Sequence, residues 1–148
     1  APTAGLHFTD DVLRRIRDNG IDVEKVCLHV GAGTFLPVKS SLISGHTMHR
    51  EPFAVSLDFL RDLRDGGRKV IAVGTTSVRT LESLYYVGVS CIESGEPRDV
   101  GQWEPYTRDY QYSMGESLDA VIRYLEDNSL TELKVGTATE PRILAYRV

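Results

Sequence analysis

The size and charge of the chain are those of an ordinary globular protein. It has 148 residues, of which 41% are hydrophobic and 26% charged, and its formal net charge is −4. No apolar run approaches the ~20 residues of a membrane-spanning helix, and no charged-then-apolar leader opens the chain. A negative net charge argues against a dedicated basic nucleic-acid clamp, although it leaves room for a local basic patch.

The two cysteines, Cys27 and Cys91, do not form a CxxC or a Cys/His metal-binding spacing. We therefore predict two buried free thiols, as is common for unpaired cysteines. Free thiols fit a reducing compartment. Together with the absence of a leader, they predict a cytoplasmic protein with no membrane partner.

The first part of the chain alternates helix and strand patterns. Thr9 is a helix-capping residue followed by two acids, and Gly20 ends the helix. Strand-like residues follow over 23–30. Residues 31–55 are predicted to be irregular, and a second helix is predicted over 56–65, with Ser56 as its cap.

The alternation continues in the middle of the chain. The apolar run KVIAV at 69–73 predicts a short strand buried on both faces. The sequence GTTS leads from it into a helix whose apolar residues extend over 77–86. Glycines and prolines predict a loop over 88–112, and a capping box at 113–116 opens the next helix.

One or two short strands are predicted in the tail, around 132–136 and 142–148. A chain in which strands alternate with helices is typical of a mostly parallel sheet flanked by helices. We therefore predict a single α/β domain in which strands 23–30 and 69–73 lie parallel in one sheet.

Two glycine-containing stretches follow predicted strands, in the place where parallel sheets bind ligands. The first, HVGAGTF at 29–35, contains Gly31, Gly33 and Thr34. It lacks the spacing of the dinucleotide fingerprint and the lysine of the phosphate loop. Either it lets a ligand approach the backbone, or it is only a tight turn.

The second stretch, GTTSVR at 74–79, opens a predicted helix. Its free backbone N–H groups, three hydroxyls and Arg79 could hold a carboxylate or a phosphate. The alternative is an ordinary helix cap, with Arg79 solvated or paired with Glu82 along the helix. We expect Arg79 to lie in the exposed first turn, where its replacement would hardly affect folding.

The sequence HTMHRE at 46–51 places two imidazoles and a carboxylate close together. His46, His49 and Glu51 could serve as acid or base, or could bind a metal in a hydrolase-like site. A lone HxxH pair is weak evidence for zinc, and surface-loop histidines remain an alternative. His7 is undecided by itself.

The only tryptophan, Trp103, stands between Gln102 and Glu104 in QWEPY, with Tyr106 close by. Such clusters commonly pack a loop onto a core. A stacking surface for a nucleobase is the other reading.

Four blocks in order, APTAGLHFT (1–9), HVGAGTFLPV (29–38), HTMHRE (46–51) and KVIAVGTTSVRTLES (69–83), together resemble one family. It is the S-adenosylmethionine:tRNA ribosyltransferase-isomerase family of queuosine biosynthesis. The resemblance is dense over residues 1–83 and thin over 84–148.

The resemblance implies an unusual group transfer. S-adenosylmethionine, as substrate and without a metal, gives its ribosyl group to 7-aminomethyl-7-deazaguanine at the wobble position of tRNA. Rearrangement then yields epoxyqueuosine-tRNA, and adenine and methionine leave. The other possibility left open is a non-catalytic module that binds S-adenosylmethionine or tRNA.

The resemblance also implies site residues. The candidates for catalysis are His46, His49 and Glu51, with no choice made among them. Residues expected to bind substrate, including an anionic group such as the methionine carboxylate or a tRNA phosphate, are His7, His29, Gly31, Gly33, Thr34, Gly74, Thr75, Thr76, Ser77 and Arg79.

Finally, the resemblance implies that residues 1–148 form part of an α/β domain. The family's upstream segment, its inserted β-barrel and its downstream block have no counterpart in the sequence, and the chain opens at Ala1 rather than at a methionine. We therefore expect a fragment that is inactive by itself.

Overall fold

The computed structural model describes residues 3–31, 47–65, 67, 69–107 and 109–138. These ranges contain four α-helices, a short 3-10 helix at Glu104–Tyr106 and one three-stranded sheet. The elements in chain order are α1 (Asp10–Asp18), β1 (Cys27–Leu28), β2 (Glu51–Ser56), α2 (Leu57–Asp65), α3 (Thr75–Ser94), α4 (Met114–Asp127) and β3 (Glu132–Thr137). The predicted strand at 142–148 lies outside the described residues.

The sheet is antiparallel, with β2 between β1 and β3. The prediction of a mostly parallel sheet is therefore wrong for the described part of the chain. A parallel contact occurs only as an isolated bridge between Val100 and Thr137 in that part. The α/β class itself is correct, because helices and sheet share one core.

The central strand β2 lies inside the segment predicted to be irregular. Its side chains alternate, with Glu51, Phe53 and Val55 buried and the residues between them facing outward. This period of two is the ordinary strand pattern. Pro52 obscured it, because proline cannot donate to a sheet and usually argues against a central strand. Its carbonyl still accepts a hydrogen bond from His29 N–H at 2.9 Å.

The predicted buried strand at 69–73 is wrong. The structure assigns no strand there, and Ile71 is 74% exposed. The predicted strand 23–30 is reduced to the two residues of β1. Strand propensity describes how a residue fits beside neighbouring strands rather than a backbone preference, and β1, β2 and β3 pair with one another, not with KVIAV.

Helix α3 extends to Ser94, so the loop predicted from residue 88 begins too early. Gly88 suggested a break in the helix, but it lies inside α3, where the absence of a side chain lets α4 pack closely. A Cβ atom at Gly88 would lie 2.2 Å from the carbonyl oxygen of Ser117 in α4. The helix instead ends at Gly95, whose φ of 80° suits a left-handed cap.

The capping predictions are confirmed. Thr9 accepts a hydrogen bond from Val12 N–H in α1, and Ser56 accepts one from Phe59 N–H in α2. Ser113 and Glu116 form the predicted capping box of α4. The backbone and hydroxyl hydrogen bonds from Ser113 lower the pKa of Glu116.

The core lies between α3, α4 and the inner face of β2 and β3. Tyr85 and Leu84 from α3 pack there with Phe53 from β2 and Leu118 from α4, each at most 2% exposed. Among the helices of the described residues, none combines the length and apolar character required to span a membrane.

One of the two thiol predictions is wrong. Cys91 is buried, as expected, but Cys27 is exposed on the edge strand β1. Burial raises the pKa of the Cys91 thiol to about 11. At pH 8 the Cys91 thiol is therefore protonated as well as shielded, and the two cysteines should differ in reactivity.

We expect a thiol reagent at pH 8 to label one cysteine per folded chain and the second only after denaturant is added. Mass spectrometry of the labelled peptides would assign the first site to Cys27. Cys27→Ser should abolish the fast reaction. Fast labelling of Cys91 in the folded protein would contradict this prediction.

Candidate functional site

Four buried polar side chains join α3 to the sheet, and we call them the α3–sheet polar cluster: Glu51, Arg79, Ser83 and Thr137. Arg79 and Ser83 are four residues apart and share one face of α3. Glu51 and Thr137 are register partners in β2 and β3. Arg79 Nη1 donates to Glu51 Oε2, and Ser83 Oγ donates to Thr137 Oγ1 at 2.8 Å.

The Glu51–Arg79 ion pair is the most buried salt bridge among the described residues. The side chains of Glu51 and Arg79 are 2% and 6% exposed. The structure therefore corrects the expectation of a surface arginine: Arg79 is the fifth residue of α3, begins its second turn and faces the sheet. A charge buried in this way depends on its partner, because removing either one leaves the other unpaired in a poor solvent.

The cluster ties together segments that are distant in sequence. Glu51 ends the HTMHRE block, and Arg79 belongs to the GTTSVR block. The backbone N–H of His29, in the block at 29–35, donates to the carbonyl of Pro52 next to Glu51. Three of the predicted blocks therefore meet where β2 begins and α3 faces it.

The fourth block, residues 1–9, contacts the start of α3. A Cβ atom at Gly74 would lie 3.2 Å from the Cβ of Ala4, in the turn that precedes α1. Gly74 has a φ of 89°, a conformation that side chains rarely adopt. The backbone conformation therefore favours a glycine here, and a Cβ atom would in addition make a tight contact with Ala4.

The start of α3 is not capped by a side chain. Gly74 is its N-cap, and the Ser77 hydroxyl donates to the Val73 carbonyl at 2.9 Å instead of accepting from the helix. The ordinary cap considered from sequence is therefore wrong. Thr75 is exposed, and Thr76 and Ser77 are partly exposed. This end of a 20-residue helix carries N–H donors and the positive end of the helix dipole.

The described histidines are all exposed. His49 lies two residues before Glu51, and His7 is the last residue of the turn that contains Ala4. His29 lies at the end of β1, with its Nε2 3.8 Å from the Cys27 Sγ. Gly31 is exposed as well. His46, Gly33 and Thr34 lie outside the described residues.

The described ranges contain no group of three or more residues able to hold a metal ion. A surface cleft of about 370 Å³ lies between α2 and α4, away from the predicted blocks in sequence. Two of the three arginines that line it are engaged by acids: Arg61 pairs with Glu126 and Arg64 with Asp119. The hydrogen bond to Glu126 raises the pKa of Arg61. This surface is a network of ion pairs rather than an open anion site.

Sequence reasoning missed Ser83 and Thr137 and the pairing of Arg79 with Glu51. Ser83 could have been found, because it lies one helical turn after Arg79 and so shares its face. Thr137 follows only from the register of β2 against β3, which the predicted topology did not contain.

These contacts define a small α/β protein in which glycine-, hydroxyl- and histidine-containing segments meet at the start of one helix. The sequence model of the family described as "Queuosine biosynthesis protein" matches residues 1–110. The chain therefore belongs to this family, the S-adenosylmethionine:tRNA ribosyltransferase-isomerases of queuosine biosynthesis, as the four blocks indicated.

Curated relatives that carry the name S-adenosylmethionine:tRNA ribosyltransferase-isomerase match the chain. The relative from Treponema denticola is 57% identical over 88 residues, which is 57% of this chain and 25% of that protein. The one from Clostridioides difficile is 44% identical over 106 residues, 70% of this chain and 29% of that protein. The one from Syntrophomonas wolfei is 41% identical over 154 aligned positions, covering 99% of this chain and 42% of that protein. The chain thus spans less than half the length of each of these relatives.

Proposed function

We propose that this chain forms part of an enzyme that transfers and isomerises the ribosyl group of S-adenosylmethionine. The acceptor is 7-aminomethyl-7-deazaguanine at the wobble position of tRNA. The products are epoxyqueuosine-tRNA, adenine and methionine. The observation that carries the proposal is the family match over residues 1–110, supported by relatives of that name.

The convergence of the four blocks supports the same proposal. Residues that act on one substrate must be held within a small volume. Here the contacts of Ala4 with Gly74, of His29 with Pro52 and of Glu51 with Arg79 join all four blocks. One of these contacts, between Glu51 and Arg79, is a buried ion pair, and purely local turns would not need such a contact between segments so far apart in sequence.

In this proposal the enzyme supplies orientation and a base, since the sulfonium already activates the ribosyl 5′ carbon and its hydrogens. His49 is exposed, and an imidazole is the side chain that most often serves as a general base. His46 remains a second candidate. We assign Glu51, whose carboxylate is buried against Arg79, a positioning role: the pair fixes the end of the 47–51 segment against α3.

Substrate binding is assigned to the surface around the start of α3. The N–H groups of Thr75, Thr76 and Ser77, with the hydroxyls of Thr75 and Thr76, would receive an anionic group, either the methionine carboxylate or a tRNA phosphate. Gly74 keeps the backbone accessible. The remaining contacts in the proposal come from His7, His29, Gly31, Gly33 and Thr34.

The test measures adenine release from S-adenosylmethionine with precursor tRNA, using the protein at its full natural length. His49→Gln should lower kcat/KM by about 10²-fold or more, the usual contribution of a general base. Its melting temperature should hardly change, because the side chain is exposed. Arg17→Gln, an exposed change in α1, should leave both values unchanged.

Full activity of His49→Gln would remove His49 from the mechanism. If the unaltered protein bound tRNA or S-adenosylmethionine but released no adenine, the non-catalytic binding module would be the correct reading. The two results are distinguishable. Full activity of the variant would exclude only His49 as the base, whereas binding without adenine release would exclude the reaction itself.

A further inference from the structure

An exposed pair of aromatic rings lies next to the candidate site. Trp103 and Tyr106 are 42% and 48% exposed, with ring centroids 6.2 Å apart and planes inclined by 60°. They are held on the short 3-10 helix that follows Gly101, whose N–H donates to Glu104 Oε2 at 3.0 Å. The rings therefore stand on an ordered turn.

This turn is attached to the segment that carries His49. Gln102 Oε1 accepts the backbone N–H of Met48 at 3.0 Å, and Arg50 forms an ion pair with Asp99. These two contacts lie on either side of His49 in sequence. The aromatic pair is thus fixed relative to the proposed catalytic segment.

Packing of the loop onto the core does not require Trp103. That role belongs to Tyr110, whose ring makes edge contacts with Tyr86 and Tyr85 at centroid distances of 5.6 and 6.3 Å. Tyr110 is half-buried, whereas Trp103 faces outward. The structure therefore favours the second reading of QWEPY, a surface that receives another ring.

We propose that the Trp103–Tyr106 surface stacks an unpaired nucleobase of the RNA substrate. Every base has a π face, so a fixed tryptophan ring binds one without reading its sequence. Arg50 and Arg98 lie beside the turn with side chains 68% and 62% exposed. Because these guanidinium groups are largely exposed, they can contact a phosphate while they remain close to their acidic partners. This inference rests on the proposed function, because it takes RNA as the substrate.

Trp103 is the only tryptophan among these 148 residues. The difference in fluorescence between the unaltered full-length protein and Trp103→Phe isolates its signal from that of any tryptophan elsewhere. The full-length protein is titrated with an RNA hairpin carrying a seven-nucleotide loop, and separately with a fully paired duplex of equal length. We expect the hairpin to quench the fluorescence with saturation and the duplex to leave it nearly unchanged. A labelled hairpin gives the affinity independently by anisotropy.

Trp103→Ala should weaken hairpin binding by ~5- to 150-fold, the range for loss of one stacked base. Trp103→Phe should recover part of the affinity, and Trp103→Leu much less, because leucine is apolar but lacks a π face. Leu130→Ala, at another exposed apolar residue, is the matched control and should bind normally. Thermal melts of all variants check folding.

Equal hairpin affinity of the unaltered protein and Trp103→Ala would overturn the stacking proposal while leaving the proposed function intact. Quenching by S-adenosylmethionine but not by the hairpin would also overturn it, since the base stacked would then be that of the small substrate. A blue shift on raising protein concentration without RNA would assign the surface to a second copy. Absence of hairpin binding by the unaltered protein would count against both proposals.

Discussion

Replacing Gly88 with alanine should destabilise the protein by about 1–2 kcal/mol or more. The added Cβ would lie 2.2 Å from both the carbonyl oxygen and the Oγ of Ser117, far inside contact distance. The carbonyl belongs to the backbone of α4 and cannot rotate away, so the two helices must separate. Alanine gains ~1 kcal/mol in helix propensity, but forced overpacking of a core costs ~1–3 kcal/mol or more. The separation would also weaken the hydrogen bond from Ser117 Oγ to the Tyr85 carbonyl.

Urea unfolding followed by circular dichroism measures this effect. Gly115→Ala is the matched control, because Gly115 lies in α4 and its added Cβ would meet only Ser113 Oγ at 3.9 Å. It should keep or slightly raise the free energy of unfolding. If Gly88→Ala were as stable as Gly115→Ala, the close packing of α3 on α4 would be wrong.

The helices could be predicted from sequence because their signals are local. The hydroxyl of Thr9 and the Ser113–Glu116 box lie within three residues of the N–H groups that they engage. The end of α3 could not be predicted in the same way. Gly88 breaks a helix in isolation, and only the approach of Ser117 from α4 explains why it occurs inside one.

The sheet could not be predicted because strand partners lie far apart in sequence. KVIAV at 69–73 is the most strand-like run in the chain, yet no strand is assigned there. EPFAVS, with a proline second, is the central strand because its alternate residues fit between β1 and β3. EPFAVS therefore forms a strand and KVIAV does not, because burial of one face matters more than average strand propensity.

The site was predicted as a set of blocks but not as a set of contacts. Glu51 and Arg79 were both candidates, one as an acid or base and the other as an anion clamp. That they pair with each other follows from β2 and α3 sharing the core, which neither block contains. Glu51 and Arg79 were therefore predicted as two separate site residues, whereas in the structure they form one buried ion pair.

Loss of Arg79 should have the largest effect on stability of any single change considered. Arg79→Ala would leave Glu51, 2% exposed, without the guanidinium that now accompanies it. Breaking a buried ion pair from one side costs ~3–5 kcal/mol, a large fraction of the ~5–15 kcal/mol that holds a domain folded. We expect partial unfolding or a steep fall in the urea midpoint. Arg79→Lys should lose less, because it keeps the charge but not the planar fork.

A double variant separates stability from positioning. Arg79→Met combined with Glu51→Leu removes both charges, and such apolar replacements of buried pairs are often neutral or stabilising. We expect the double variant to recover most of the lost free energy of unfolding. If the pair positions the 47–51 segment for catalysis, adenine release by the full-length protein should nevertheless stay at least ~10-fold low, because small displacements of reacting groups are costly. A stable double variant with normal turnover would restrict the pair to folding and leave His49 to be positioned by other contacts.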